Sequence, residues 1–271
     1  MNPKKVFEKI ELPNVKNIIV IASGKGGVGK STVSANLAVS LARQGFKTAL
    51  VDADLYGPSI PMMFGVQNER PVGGMKDGKE VIIPIEKYGV KMVSIGFFIS
   101  AGQSLIWRGP MASNGLTQLF RDTDWGETDY MIVDFPPGTG DIQITTVQKL
   151  NLSGAVIVTT PQEVAISDAR KAASMFINPD LNVPLLGIVE NMSWFTPANH
   201  PDEKYFIFGQ GGGEKLTQEF NTKLLGQIPL IMEIGEGSDK GMTVYNQSNK
   251  SMIDAFDTLS QSICEILSVK A

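Results

Sequence analysis

Short runs of consecutive apolar residues alternate along this chain with longer stretches whose apolar positions recur every three or four residues. Residues 17–22 read NIIVIA, apolar after the first position, as a strand covered on both faces requires. Residues 48–52 (TALVD), 130–134 (YMIVD), 155–159 (AVIVT), 185–189 (LLGIV) and 224–228 repeat that form, and 81–85 and 90–95 are two further strand-like runs. Between them, 30–44 place Val33, Leu37, Ala38 and Leu41 at helical spacing and stop at Gly45. Residues 142–150, 163–176, 214–220 and 250–267 also predict helices, and 104–121 have room for one. Residues 56–79 are rich in glycine and proline and predict a long surface connection; 194–213 predict an irregular one. Strands alternating with helices predict an α/β fold, a single doubly wound, mostly parallel sheet with helices on both faces. The expected layout is an N-terminal extension over 1–16 and one domain over 17–271, with no internal repeat or linker.

Composition narrows the class. The 271 residues are 42% hydrophobic and 19% charged, enough apolar material for a sizeable core. No stretch reaches the roughly 20 uninterrupted apolar residues of a membrane helix. Residues 1–16 carry Lys4, Lys5, Glu8, Lys9 and Glu11 without the apolar segment of a secretory signal. The one cysteine, Cys264, excludes an intrachain disulfide framework and fits a reducing cytoplasm. A net charge of −4 gives no electrostatic case for nucleic acid or anionic lipid. The expectation is a cytoplasmic protein without a membrane or nucleic-acid partner.

The chemistry concentrates after the first predicted strand. Gly24-Lys25-Gly26-Gly27-Val28-Gly29-Lys30-Ser31 matches the phosphate-binding pattern G-x-x-x-x-G-K-[ST] in full, between a strand and a helix. Gly24, Gly26, Gly27 and Gly29 are expected to free the backbone so that successive N–H groups turn toward one anion. The helix N-terminus adds its positive end. Lys30 is expected at the β- and γ-phosphates, the Ser31 hydroxyl on Mg²⁺, and Thr32 near the α-phosphate. Asp52-Ala53-Asp54 ends the second strand, where open α/β sheets keep ligand-handling residues. Two carboxylates this close repel unless a cation lies between them, although a turn-capping role for either is the competing reading. Asp134 closes YMIVD, an apolar strand followed by an acid, and is the expected Mg²⁺ ligand. Gly138, in Phe135-Pro136-Pro137-Gly138-Thr139-Gly140-Asp141, suits a backbone N–H that senses the γ-phosphate.

The early Lys25 makes the loop resemble that of the deviant Walker A ATPases, which include the MinD and ParA proteins and the Mrp iron–sulfur carriers. That resemblance implies a homodimer closed across the nucleotide, in which Lys25 reaches the partner's ATP as an arginine finger does elsewhere. It also implies that Asp54 orients the attacking water, that Asp52 supports Mg²⁺ or its water shell, and that hydrolysis is slow. The runs 125–141, 54–61 (DLYGPSIP) and 187–193 (GIVENMS) look like the Mrp branch in particular. By that match Asn191 pairs with the adenine edge and residues near Pro229 line the base pocket; capping of a turn is the competing reading for Asn191. The implied task is to carry a labile iron–sulfur cluster to apoprotein clients.

The chain departs from the Mrp pattern in one respect. A C-x-x-C normally follows the N-M-S run, and residues 191–209 contain no cysteine. Thiolates are the usual cluster ligands. Cys264 falls among Phe256, Leu259, Ile263 and Leu267 of a predicted helix, which favours a core thiol, and His200 in its proline-flanked loop reads as a surface residue. The cluster ligands are therefore left unassigned: other ligands or partners hold the cluster, or the cargo has changed. Some Mrp proteins carry a small α/β domain ahead of the ATPase, and a phosphate loop at Gly24 leaves no room for it in these residues. Two other readings compete, a MinD- or ParA-like positioning switch and a nucleotide-binding scaffold with negligible hydrolysis. The first would use a basic amphipathic C-terminal helix, whereas this one carries Asp254, Asp257 and Glu265 against Lys250 and Lys270.

Overall fold

The computed structural model describes residues 8–98, 109–247 and 249–268. Its centre is a sheet of eight strands. In chain order these are β1 (Val15–Ala22), β2 (Thr48–Asp52), β5 (Ile85–Lys87), β6 (Val90–Ser94), β7 (Thr128–Asp134), β8 (Gly154–Thr159), β9 (Leu185–Asn191) and β10 (Lys223–Ile228). They lie in the order β10-β9-β8-β1-β7-β2-β6-β5, parallel throughout except for the β5–β6 edge. Strands β3 (Val72–Lys76) and β4 (Lys79–Ile83) form a separate antiparallel hairpin.

The apolar runs have a simple cause. Ile19, Ile21, Leu50, Ile132, Val156 and Val158 face one core, while their chain neighbours Ile18, Val20, Val51, Met131, Val133 and Ile157 face another. A strand buried on both sides has no polar face to alternate with. Helices α1 (Lys30–Arg43) and α8 (Lys250–Ser268) cover the first core, with Val33, Leu37 and Leu41 in the same cluster as Phe256, Leu259 and Ile263. Their contact is pinned by polar bonds as well: Ser40 Oγ donates to Asp257 Oδ1 at 2.8 Å, and Gln44 Nε2 to Ser260 Oγ at 2.6 Å. Helices α3 (Gly109–Arg121), α4 (Asp141–Lys149), α5 (Glu163–Ile177) and α6 (Gly212–Phe220) lie over the second core. The doubly wound architecture expected from the sequence is the one observed.

Several local expectations change. The 56–79 region is not wholly a surface connection. It holds the short helix α2 (Ile60–Met63), buries Ile60, Phe64 and Val66, and contributes β3. The 81–85 run divides at Pro84 into β4 and β5, since proline has no N–H to give a ladder. Residues 104–108 of the mixed stretch lie outside the described residues, and α3 begins at Gly109. A helix not foreseen, α7 (Met232–Asp239), contains Gly235 and Gly237, which weaken any helical signal. Residues 194–211 are irregular, apart from an isolated bridge between Phe195 and Tyr205. Ahead of β1, Ile10 is buried and its N–H donates to Lys149 O at 2.8 Å. Among the described residues no helix is long and apolar enough to cross a membrane.

Phe256 is fully buried between α8 and the sheet, whereas Tyr205 is exposed. Phe256→Ala is expected to lower unfolding free energy by about 3–5 kcal/mol in a urea titration. Tyr205→Ala is expected to leave it within about 0.5 kcal/mol.

Candidate functional site

The loop between β1 and α1 turns on two glycines in the left-handed region, Gly27 at φ 81° and Gly29 at φ 83°. Gly29 precedes α1 without a side-chain cap, so the first N–H groups of the helix are available to an anion. The four loop glycines do different work. A Cβ on Gly29 would lie 2.1 Å from Asn191 Nδ2, which donates to Val28 O at 2.9 Å. A Cβ on Gly24 would lie 2.0 Å from the carbonyl carbon of Asp168, where the backbone of α5 crosses the loop. Gly24 is thus required for the close packing of the loop against α5, a demand the sequence did not announce. Gly26 has open space around it.

Parallel register brings the acids together. Asp52 at the end of β2 lies between Ser94 on β6 and Asp134 on β7, its Cα partners. Lys30 Nζ sits 2.8 Å from Asp134 Oδ1 and 3.4 Å from Asp54 Oδ2. Ser31 Oγ donates to Asp134 Oδ2 at 2.7 Å, and Ser34 Oγ to Asp134 Oδ1 at 2.6 Å. Burial alone would lower the Lys30 pKa, but Asp134 and then Asp54 and Asp52 outweigh it and raise it. Burial, then repulsion from Asp134, pushes the Asp52 carboxyl up to about 8. Asp52 keeps both oxygens on internal donors: Oδ1 accepts from Asp54 N–H at 3.2 Å, and Oδ2 from Ser94 Oγ at 2.8 Å and Ile60 N–H at 3.3 Å.

A cleft of about 260 Å³ opens over the loop, lined by Lys25, Lys30, Ser31, Thr32, Asp54 and Pro137 among others. Lys25 is half-buried and forms no ion pair among the described residues. Gly138, at φ 91°, donates its N–H to Ser23 O at 2.9 Å. Lys25, Lys30, Ser31, Thr32 and Asp54 are therefore brought to one cleft, with Asp134 and Asp52 buried behind them and Asn191 bracing the loop. Ser31 and Asp134 offer the hard oxygens that suit Mg²⁺, an ion bound by one or two carboxylates together with substrate phosphates. Ser34 and Ser94 were missed from the sequence. Both are fully buried and grip the carboxylates, yet a serine inside a helix or at a strand end carries no distinctive signal.

The candidate cargo residues lie apart from this cluster. Cys264 is half-buried on α8, shares a hydrogen bond with the Tyr130 hydroxyl, and has its thiol pKa pushed up by burial. His200 is 60% exposed, with Nδ1 3.2 Å from Glu203 Oε1. The cysteine-free segment closes on itself instead, with Lys204 Nζ 4.0 Å over the Trp194 ring.

Residues 14–264 match the family described as ParA, NUBPL iron-transfer P-loop NTPase. The chain belongs to this family. It is 45% identical over 267 residues to the iron-sulfur cluster carrier protein of Aquifex aeolicus, covering 98% of this chain and 72% of that protein. It is 46% identical over 269 residues to the protein of the same description from Synechocystis, covering 99% and 76%. Among solved structures, a nucleotide-binding protein in complex with ADP from Archaeoglobus fulgidus is 34% identical, covers 87% of this chain and 90% of its own, and superposes with a TM-score of 0.74. The cell division ATPase MinD of Pyrococcus furiosus, 22% identical over 92% of this chain and 98% of its own at a TM-score of 0.62, shares the fold. As a member of the NTPase family, the chain has its phosphate loop and acid cluster at the C-terminal ends of the parallel strands, where open α/β sheets bind ligands.

Two outcomes follow from this geometry. Gly24→Ala is expected to cost about 1–3 kcal/mol of stability through the clash with α5, while Gly26→Ala stays near wild type in the same thermal unfolding assay. The raised Asp52 pKa favours the protonated carboxyl in the fold. Its contribution is therefore present below the ordinary value of 3.8 and lost as pH rises to about 8. The melting temperature of nucleotide-free protein in EDTA is expected to fall over that range, with a shallower slope in Asp52→Asn.

Proposed function

We propose that this chain is a nucleotide-switched carrier ATPase that acts in iron–sulfur protein maturation. The observation that carries the reading is the convergence of Lys30, Ser31, Asp54 and Asp134 beneath a glycine loop whose helix begins without a cap. A triphosphate laid on that helix start meets unpaired N–H groups and the Lys30 ammonium, with Thr32 beside the α-phosphate. Mg²⁺, held by Ser31 and Asp134 with Asp52 supporting from behind, would supply charge neutralisation between the phosphates. Asp54 lines the cleft and orients the water that attacks the γ-phosphorus as the bond to ADP breaks. Gly138 senses the γ-phosphate by exchanging the Ser23 carbonyl for a phosphate oxygen. Asn191 braces the loop through one amide hydrogen and keeps its oxygen for the adenine edge, with residues near Pro229 completing the base pocket.

The cycle requires a homodimer. Lys25 stands half-buried at the cleft without an ion-pair partner among the described residues, which suits a role across the interface on a second copy's nucleotide. Hydrolysis is slow and Mg²⁺-dependent, and reopening releases the cargo. The relatives named iron-sulfur cluster carrier proteins support a cluster as that cargo, and its destination is apoprotein clients. Four thiolates are the usual complement of a cluster. A dimer of this chain has two, each half-buried beside Tyr130, so the ligands of the cluster come from a partner. A MinD-like membrane role is disfavoured because Met252, Phe256, Leu259 and Ile263, the apolar stripe of α8, are buried in the core.

Lys30→Ala is expected to lose ATP affinity by titration calorimetry, whereas Lys25→Ala keeps affinity and loses hydrolysis. Wild-type turnover in Lys25→Ala would overturn the dimer mechanism. Anaerobic incubation of the chain alone with iron and sulfide is expected to give no stoichiometric cluster absorbance, with Cys264→Ser indistinguishable from wild type.

A further inference from the structure

One buried side chain at the site has no part in the reading above. Ser94 ends β6 with no solvent exposure, in register with Asp52. Its Oγ donates to Asp52 Oδ2 at 2.8 Å and accepts the Gly96 N–H at 2.9 Å. Among the described residues it is the one side chain that donates a hydrogen bond to Asp52. Asp52 in turn accepts the N–H groups of Asp54 and Ile60, the two ends of the segment between β2 and α2. The hydroxyl thus fixes one carboxylate, and that carboxylate clamps both ends of the span from Asp54 to Ile60.

A second contact ties the same two segments. A Cβ on Gly96 would lie 3.0 Å from Pro58 Cβ and 3.1 Å from Pro58 Cγ, so the turn after β6 rests directly on the middle of the clamped span. Within that span Asp54 is held at both oxygens: Oδ2 lies 3.4 Å from Lys30 Nζ, and Oδ1 accepts Tyr56 N–H at 3.2 Å. The placement of Asp54 opposite Lys30 is therefore inherited from Ser94 and Gly96 through backbone, not through any contact of their own with the cleft.

We propose that Ser94 is a positioning residue for hydrolysis, setting Asp54 opposite Lys30 through Asp52. This rests on the reading of Asp54 as the residue that orients water. A small displacement of such a group lowers the rate while leaving the phosphate-binding loop intact. The test is ATP hydrolysis and ADP affinity of the full chain in wild type, Asp54→Ala, Ser94→Ala, Ser94→Thr and Gly96→Ala, with thermal unfolding to check each fold. Ser94→Ala is expected to lower kcat by about 10- to 100-fold with ADP affinity within about three-fold of wild type, and Ser94→Thr, which keeps the hydroxyl, to recover most of the rate. Gly96→Ala, which presses on Pro58, is expected to lower kcat in the same sense, and it decides the matter if Ser94→Ala does not fold. Wild-type kcat in Ser94→Ala, or equal loss of rate and affinity without rescue by threonine, would overturn the proposal alone. Wild-type kcat in Asp54→Ala would remove the reading of the site together with it.

Discussion

Three buried carboxylates face one ammonium at the end of this sheet, and that imbalance governs the site. Asp52 and Asp134 are drawn together because β2 and β7 run parallel in register, and Asp54 follows just past the end of β2. Lys30 lies between Asp134 and Asp54 and neutralises part of the charge. The remainder is met by hydroxyls and N–H groups, while burial and repulsion from Asp134 raise the Asp52 pKa. Such a cluster is costly to keep in a dry interior. It is tolerable where a cation and a polyanion arrive together, since each then satisfies what the other leaves unpaired. The carboxylate oxygens suit a hard cation and the helix start beside them suits a phosphate.

The glycine loop solves the complementary problem. Anion binding needs backbone N–H groups brought close to one point, and the loop has to achieve this while wedged between α5 and β9. Gly24 admits the backbone of α5, and Gly29 admits the Asn191 amide. The rigidity of the cradle comes from these neighbours, since a loop of glycines has no stiffness of its own.

Much of this was legible in the sequence because it rests on short-range signals. A strand buried on both faces shows as an unbroken apolar run, and β2, β7 and β8 could be found from that alone. The phosphate loop was legible because its chemistry demands particular residue types at fixed spacing. What stayed hidden depends on long-range register or weak local preference. Ser94 acquires meaning only when β6 lies beside β2, and nothing in its neighbours announces that pairing. Helix α2 and the buried Phe64 were obscured by surrounding glycine and proline, and α7 by its two glycines. The separate roles of Gly24 and Gly26 were equally invisible, since one residue type serves backbone conformation, tight packing and mere tolerance alike.

The contact of Gly24 with Asp168 has a mechanical side. Two main chains touch there with no side chain between them, so the junction has no soft element to absorb strain. Side-chain contacts yield by rotating about χ angles, but backbone against helix cannot. The loop has no side-chain rotation at this junction with which to move independently of α5, which runs 15 residues from Glu163 to Ile177. The protein thus has a stiff rod seated against its glycine loop.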